Sequence, residues 1–229
     1  MKNTYRFYSH GLLILAISLS LTCGYYSTYA QKAGSTLTDV EGNKYKTVVI
    51  GDQEWMAENL KTTKYNDGTD IPLEQDNKKW IAITTPAYCW VGNDIANKDI
   101  FGAFYNWQAV NTGKLCPKGW HVPTDEEWTK LTDFLGGLDV AGGKMKATGT
   151  DLWNSPNTGA SNESGFSALP AGYRYGYFWG SGEYYEKGLN GYFWTATEYT
   201  ETHSRTRTVN AERTKVYSSV FVKNNGFSV

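Results

Sequence analysis

The segment at residues 116–128, CPKGWHVPTDEEW, constrains the fold more than any other part of this chain. Thr124 can cap a helix, and Glu127, three residues later, can accept a hydrogen bond from the backbone amide of Thr124, which completes a capping box. Apolar residues then recur at helical spacing, at Trp128, Leu131, Phe134 and Leu135. The sequence therefore predicts a helix over residues 125–135, which two consecutive glycines end.

The first thirty residues have the composition of a cleaved export signal. Lys2 and Arg6 precede an apolar run over residues 12–21, which is too short to span a bilayer. Small residues before the predicted cleavage point, after Ala30, suit an ordinary signal peptidase. We therefore expect a protein that is secreted or held at the outer cell surface, without a transmembrane helix once the signal is removed. A minor alternative is a lipoprotein attached through Cys23, although the residues before that cysteine fit the motif poorly.

The rest of the chain, residues 31–229, has the length of one ordinary domain. The whole chain has 22 Lys and Arg against 23 Asp and Glu, and the leader holds two of the basic residues and none of the acidic ones. This slightly acidic balance argues against nucleic acid as a partner, because nucleic-acid binding needs a concentrated basic surface. Aromatic residues are frequent, with 17 Tyr and 9 Trp, and we expect Trp120 and Trp128 to pack inside the domain.

Strand patterns occur at both ends of this region, which predicts an α+β domain. Segments typical of strands lie at residues 37–40, 44–50, 53–56, 165–175, 191–199, 203–209 and 215–222. Between the early and late strands, apolar residues at helical spacing predict a first helix over residues 100–110, ahead of the capped one. The glycine-punctuated stretch after Gly136 predicts a long irregular loop region.

Two cysteines, Cys89 and Cys116, follow the leader. In an exported chain they can form one disulfide, which would stabilise the fold by about 3 kcal/mol, and the alternative is two unpaired thiols. A zinc site that adds His121 and His203 lacks the close paired spacing of structural zinc motifs. The acidic and amide residues at positions 93, 94, 97 and 99 can ligate calcium, but turns use the same residue types. We therefore predict no metal and no cofactor.

Seven short motifs occur in order along the chain. They are GDQEWMAENL at residues 51–60, AYCW at 87–90, FGAFYNWQAV at 101–110, the segment at 116–128, GFSALPAGYR at 165–174, FWTATE at 193–198 and the final GFSV. Together they resemble the Fibrobacter succinogenes major paralogous domain family, which is known mainly from secreted or surface proteins of Bacteroidota and Fibrobacteres. The resemblance implies a C-type lectin-like fold, with two helices around a small twisted antiparallel sheet and a long irregular loop region.

The same resemblance bears on the C-terminus and on catalysis. Relatives commonly continue past GFSV with a basic residue and a cysteine, so we expect a truncated domain, with one thiol unpaired if that cysteine is the usual partner of Cys89 or Cys116. The PTDEEW portion is also similar to formylglycine-generating enzymes, which use C-terminal cysteines for copper-dependent oxidation. Because no cysteine follows Cys116, we expect a domain that is not an enzyme.

The densest run of aromatic residues, over residues 173–185, lies where the long loop meets the late strands. Planar rings beside a hydrogen-bonding arginine suit stacking against a sugar or anchoring a partner protein. We therefore expect a recognition module that binds a glycan or an extracellular protein, and the alternative is a structural envelope component without a small ligand. The predicted ligand face comprises Tyr173, Arg174, Tyr175, Trp179, Trp194 and Glu198, with Arg174 donating hydrogen bonds and Glu198 accepting them.

Overall fold

Three antiparallel strands begin the part of the chain that the structure, a computed structural model, describes, namely residues 32–177 and 179–229. These strands form the first sheet, in the order β1 (Lys32–Thr38), β2 (Lys44–Ile50) and β3 (Gln53–Met56). The strands predicted over residues 44–50 and 53–56 are thereby confirmed. Contacts group these described residues into one compact unit. The predicted export signal, with Cys23, lies outside the described residues.

Short elements fill the middle of the chain. They are α1 (Asn77–Ala82), β4 (Tyr88–Trp90), two 3-10 turns (Val91–Asn93 and Ile95–Asn97), α2 (Lys98–Phe101), β5 (Ala103–Tyr105) and α3 (Trp107–Val110). β4 and β5 pair with each other in an antiparallel two-stranded sheet. The predicted first helix over residues 100–110 is therefore wrong, because two single helical turns and a strand replace it.

Tertiary contacts explain why the helical pattern fails there. Gly102 has a φ of +73°, and a Cβ at this position would lie 2.7 Å from the backbone oxygen of Leu60. Asn106 then starts a new helical turn, with its Oδ1 accepting a hydrogen bond from the amide of Ala109 at 3.1 Å. The chain between these two breaks pairs as a strand with β4, so partners distant in sequence override the local periodicity.

The capped helix is confirmed as α4 (Asp125–Phe134). The amide of Glu127 donates to Oγ1 of Thr124 at 3.2 Å, and the amide of Thr124 donates to Oε2 of Glu127 at 2.8 Å, so the capping box is complete. Trp128 is buried against the core as predicted, whereas Trp120 is only half-buried. A further helix, α5 (Leu138–Met145), was not predicted.

The sequence pattern does not predict α5 because two of its residues, Gly142 and Gly143, are poor helix formers. Both glycines allow the helix to approach neighbouring backbone closely. A Cβ on Gly142 would lie 2.7 Å from the backbone oxygen of Lys215, and one on Gly143 would lie 2.6 Å from that of Gly159. The helix therefore packs directly on backbone, and packing rather than propensity stabilises it.

Five strands complete the fold. They are β6 (Tyr173–Arg174), β7 (Tyr184–Tyr185), β8 (Asn190–Glu198), β9 (His203–Asn210) and β10 (Val216–Val222). The last three form the late sheet, in the order β10-β9-β8, and β6 pairs with β7. The late strands are confirmed. The strand predicted over residues 165–175 shrinks to β6, because Ser167 and Gly172 have positive φ values of +59° and +72°.

The buried side chains of the described residues form three clusters, and Cys89 and Cys116 belong to different ones. Cys89 packs with Trp80 and Phe104, whereas Cys116 packs with Trp107 and other rings. Both thiols are free and buried, and burial raises the pKa of Cys116 to about 12. The predicted disulfide between Cys89 and Cys116 is therefore not formed. The fold as a whole is mixed α and β, with small antiparallel sheets and few helices.

Candidate functional site

A chain of ring contacts runs from the hairpin of β6 and β7 onto the late sheet. We call it the tyrosine ladder, and it comprises Tyr175, Tyr185, Tyr173, Tyr192 and Phe221. Successive ring centroids lie 6.1, 5.7, 5.1 and 5.6 Å apart. The structure thus brings together two predicted site residues, Tyr173 and Tyr175, which are both half-buried. Tyr185, 40% exposed, joins them without having been predicted.

A groove with a volume of about 340 Å³ adjoins the ladder. This sheet groove is lined by Asn190, Tyr192, Thr208, Asn210, Glu212, Arg213, Tyr217, Ser219 and Phe221. Thr208 lies opposite Tyr192 on one side and opposite Tyr217 on the other, so the three residues form one row across the sheet. Alternate residues of the same strands, such as Phe193 and Val209, pack with Trp128 on the opposite face.

Most buried polar groups in the groove have partners, but one does not. The Tyr192 hydroxyl donates to Oε2 of Glu186 at 2.6 Å, and the Asn210 amide donates to Oδ1 of Asn190 at 2.7 Å. Burial, helped by the bond to Glu186, raises the pKa of Tyr192 well above its ordinary value, so the phenol stays protonated. Oγ1 of Thr208 is buried and has no hydrogen-bond partner among the described residues. The groove therefore contains one unsatisfied hydroxyl.

Arg174 is not on the ligand face, which corrects the prediction. Its side chain is fully buried and lies over the Trp80 ring, with 4.4 Å from Cζ to the centroid. Its guanidinium donates within the protein, to the backbone oxygens of Gly182, Glu74 and Gln75 and to Oδ1 of Asn77. The arginine thus fixes two loops to β6, and four of its five N–H donors bond within the protein.

The other residues of the predicted ligand face do not lie together on one surface either. Trp194 is buried and its indole N–H donates to the Tyr105 oxygen at 2.8 Å, so it is not a surface ring. Glu198 pairs with Lys223, and it lies six residues along β8 from Tyr192, about 20 Å for an extended strand. Trp179 is 82% exposed in the loop between β6 and β7. The structure therefore brings Tyr173 and Tyr175 together and does not place Arg174, Trp194 or Glu198 with them on one exposed face.

A second cavity, of about 370 Å³, was not predicted. We call it the tryptophan cavity, and its aromatic lining comprises Trp55, Trp120, Trp128, Trp194, Phe166 and Phe193. Its polar lining includes His121, Glu54, Glu58 and Glu127. Two sequence motifs, at residues 51–60 and 116–128, supply most of these residues. Their shared combination of tryptophan and glutamate is the signal that could have identified the cavity.

No cluster of three or more histidine, cysteine or carboxylate side chains suited to a metal ion occurs among the described residues. The zinc quartet considered above is dispersed, since Cys89 and Cys116 already lie in separate clusters. Within residues 32–177 and 179–229, no helix is both long and apolar enough to cross a membrane.

Fold and groove together define a small mixed α and β domain with an aromatic surface face. The chain belongs to the family described as the Fibrobacter succinogenes major domain, which it matches over residues 48–229. This confirms the family resemblance seen in the sequence motifs. Membership suggests a surface or secreted domain and assigns no activity to it. Comparison with curated proteins and with solved structures finds no match.

Proposed function

We propose that this domain is a non-enzymatic recognition module that binds glycan in the sheet groove. The observation that carries the proposal is the row of Tyr192, Thr208 and Tyr217 across the sheet, in which the Thr208 hydroxyl is buried and has no partner among the described residues. A buried polar group without a partner costs free energy, and a ligand that supplies the partner recovers it. A sugar hydroxyl is both donor and acceptor, so it can satisfy Thr208 whichever way the threonine hydroxyl is turned.

Ring and amide groups around Thr208 suit the rest of a sugar. Tyr217 is 36% exposed and Phe221 is half-buried, so both present ring surface to a pyranose while keeping a fixed position. Asn190 and Asn210 supply amide groups at the same groove. Its volume of about 340 Å³ lies at the lower end of the range for small-molecule sites. The tyrosine ladder extends the same face for further sugar units.

The groove is proposed to bind without catalysis. Its described lining contains one carboxylate, Glu212, and neither histidine nor cysteine. Glycoside hydrolysis ordinarily needs two carboxylates that flank the scissile bond, and a nucleophile needs a base within hydrogen-bond reach. Neither arrangement has a counterpart among these residues, which supports a binding role over an enzymatic one.

We also infer export and a C-type lectin-like fold, as the motifs imply. The order along the chain supports the fold: capped α4 and then α5, residues 147–172 without a helix or strand, the β6–β7 hairpin, and then the late sheet. A crystal structure that superposes poorly on lectin-like folds would exclude it. Mass spectrometry of the protein recovered outside the cells tests export, since we expect a chain that starts at Gln31. A lipid-modified start at Cys23 would establish the lipoprotein alternative instead.

A glycan array tests the proposed function directly. Purified wild-type protein is expected to bind a defined set of glycans, and Tyr217→Ala is expected to lose that binding because one wall of the groove is gone. Tyr199→Ala is the matched control, since Tyr199 is 55% exposed and lies outside the groove. Loss of signal in both variants would place the site elsewhere. A wild-type protein that captures no glycan would favour the structural envelope role.

A further inference from the structure

We propose that the tryptophan cavity binds a small organic ammonium ion that also carries an acceptor oxygen. The cavity shares no lining residue with the sheet groove, so this second site is independent of glycan binding. Its volume of about 370 Å³ accommodates a free small molecule. Three features of the cavity carry the proposal: its rings, its carboxylates and its unpaired indole N–H groups.

Aromatic rings form the apolar wall. The centroids of Trp55 and Trp128 lie 5.1 Å apart with an interplanar angle of 59°, and Phe166 lies within 5.8 Å of both rings. Half-buried Trp120 and buried Trp194 complete the four indoles of the lining. The face of an aromatic ring attracts a cation, and several rings around one cavity are the usual means of holding a quaternary ammonium group.

The charge of the lining has the complementary sign. Glu54, Glu58 and Glu127 line the cavity, whereas no lysine or arginine does so in the described parts of the chain. Within those parts, the hydrogen bonds of Glu54 and Glu58 use Oε1 of each carboxylate, from Ser35 and Thr47 and from the Lys46 amide. Oε2 of Glu58 therefore remains for a cation, whereas Ser35 and Thr47 hold the Glu54 carboxylate on the opposite face of β3 from Trp55.

Hydrogen bonds keep two of these carboxylates ionised. Bonds from Thr47 and Ser35 lower the pKa of Glu54. Burial alone would raise the pKa of Glu127, but bonds from Thr124 and His121 outweigh it and lower the pKa overall. His121, whose Nε2 lies 2.9 Å from Oε1 of Glu127, is the one basic side chain in the described lining. The cavity is therefore anionic at neutral pH.

Two indole N–H groups call for an acceptor. Nε1 of Trp55 and Nε1 of Trp128 are buried without a hydrogen-bond partner among the described residues. Outside the cavity, Nε1 of Trp153 donates to the Ala168 oxygen at 3.1 Å, whereas Nε1 of Trp80 is buried without a partner in the described part of the chain. An unsatisfied buried donor is costly, and a hydroxyl or carbonyl oxygen on the ligand would relieve that cost. This is why the ligand is expected to combine an oxygen with its ammonium group.

Nuclear magnetic resonance of 15N-labelled protein tests the proposal, with choline as the probe. The indole cross-peaks of Trp55 and Trp128, assigned by Trp→Phe variants, are expected to shift saturably while that of Trp153 stays in place. The neutral isostere 3,3-dimethylbutan-1-ol has the same shape and hydroxyl but no charge. We expect it to bind at least about 5-fold more weakly than choline.

Matched variants measure how much the negative charge of the cavity contributes to choline binding. Glu58→Gln is expected to weaken choline about 5-fold and to leave the neutral isostere unaffected. Glu201→Gln, which removes an exposed carboxylate outside the cavity, and Tyr217→Ala in the sheet groove are expected to leave choline binding unchanged. Equal affinity for choline and its isostere, or the absence of a saturable shift at Trp55 and Trp128, would overturn the proposal.

Discussion

The rings around Trp128 and the rings of the tyrosine ladder make similar contacts in opposite surroundings. Trp55, Trp128, Phe166 and Phe193 pack with centroids 5.1–5.8 Å apart, and all four are buried. The ladder has spacings of 5.1–6.1 Å, but its members are largely half-buried or exposed. Ring spacing therefore does not distinguish a core from a binding face.

A core and a binding face differ instead in the exposure of their rings and in the partners of their polar groups. Tyrosine has an apolar ring and a hydroxyl that needs water or a partner, so it suits a surface where one edge stays wet. Tyr185 and Tyr217 remain accessible on the ladder side, whereas Trp128 has no comparable surface. Mutations in the two regions should therefore separate stability from glycan binding, although Trp55 and Trp128 also line the tryptophan cavity.

Trp128→Ala should have the largest effect on stability. It removes the ring at the centre of the buried cluster, so the free energy of unfolding is expected to fall by about 4 kcal/mol. Tyr185→Ala, at the exposed end of the ladder, should cost less than about 1 kcal/mol. Chemical denaturation measures both. Equal losses would mean that the two regions do not differ as described.

Arg174→Gln should rank second. The substitution leaves several buried carbonyl oxygens without their donor, which should lower the free energy of unfolding by about 3 kcal/mol. Arg205→Gln is the control, because Arg205 is half-buried and only loosely paired with Asp125, at 4.0 Å. A stable Arg174→Gln protein with weakened glycan binding would restore the sequence-based role of this arginine.

Thr124→Ala should cost about 1 kcal/mol, because the variant loses the hydrogen bond from the Glu127 amide that starts α4. Since α4 presents Trp128 to the buried cluster, the loss should appear as a lower denaturation midpoint with an unchanged slope. Thr124→Ser keeps a capping hydroxyl and should stay close to the wild type. An unaltered midpoint for the alanine variant would contradict the capping role.

Reducing agent should have no effect on stability. Cys89 and Cys116 are free, so dithiothreitol should leave the free energy of unfolding unchanged, whereas a disulfide would contribute about 3 kcal/mol. Alkylation should modify both thiols after unfolding and neither in the native protein, because both side chains are buried. A reductant-sensitive midpoint would reinstate the disulfide.

Sequence reasoning succeeded where the determining contacts are local. The capping box needs only Thr124 and Glu127, three residues apart, and β2 and β3 show strand patterns over their own length. The prediction for residues 100–110 failed because Gly102 packs against Leu60 and Asn106 accepts a hydrogen bond from the Ala87 amide. Both partners lie far away in sequence. The helical spacing of the apolar residues over 100–110 does not indicate those distant contacts.

In the candidate site too, local contacts could be predicted from the sequence and contacts between distant residues could not. The contact between the Tyr173 and Tyr175 rings could be predicted, because both residues belong to one aromatic run. Arg174 was misassigned because its acceptors come from loops about a hundred residues away. The sheet groove depends on the register of three strands, which sets Thr208 between Tyr192 and Tyr217, and composition does not encode that register.

Calorimetry on Thr208→Val tests the central claim most directly. Valine keeps the shape of threonine and removes the unpartnered hydroxyl, so the unfolding midpoint should stay level or rise. The affinity for the strongest glycan on the array should fall about tenfold, which corresponds to one lost hydrogen bond of about 1.4 kcal/mol. Undiminished affinity in the folded variant would contradict glycan recognition through this groove.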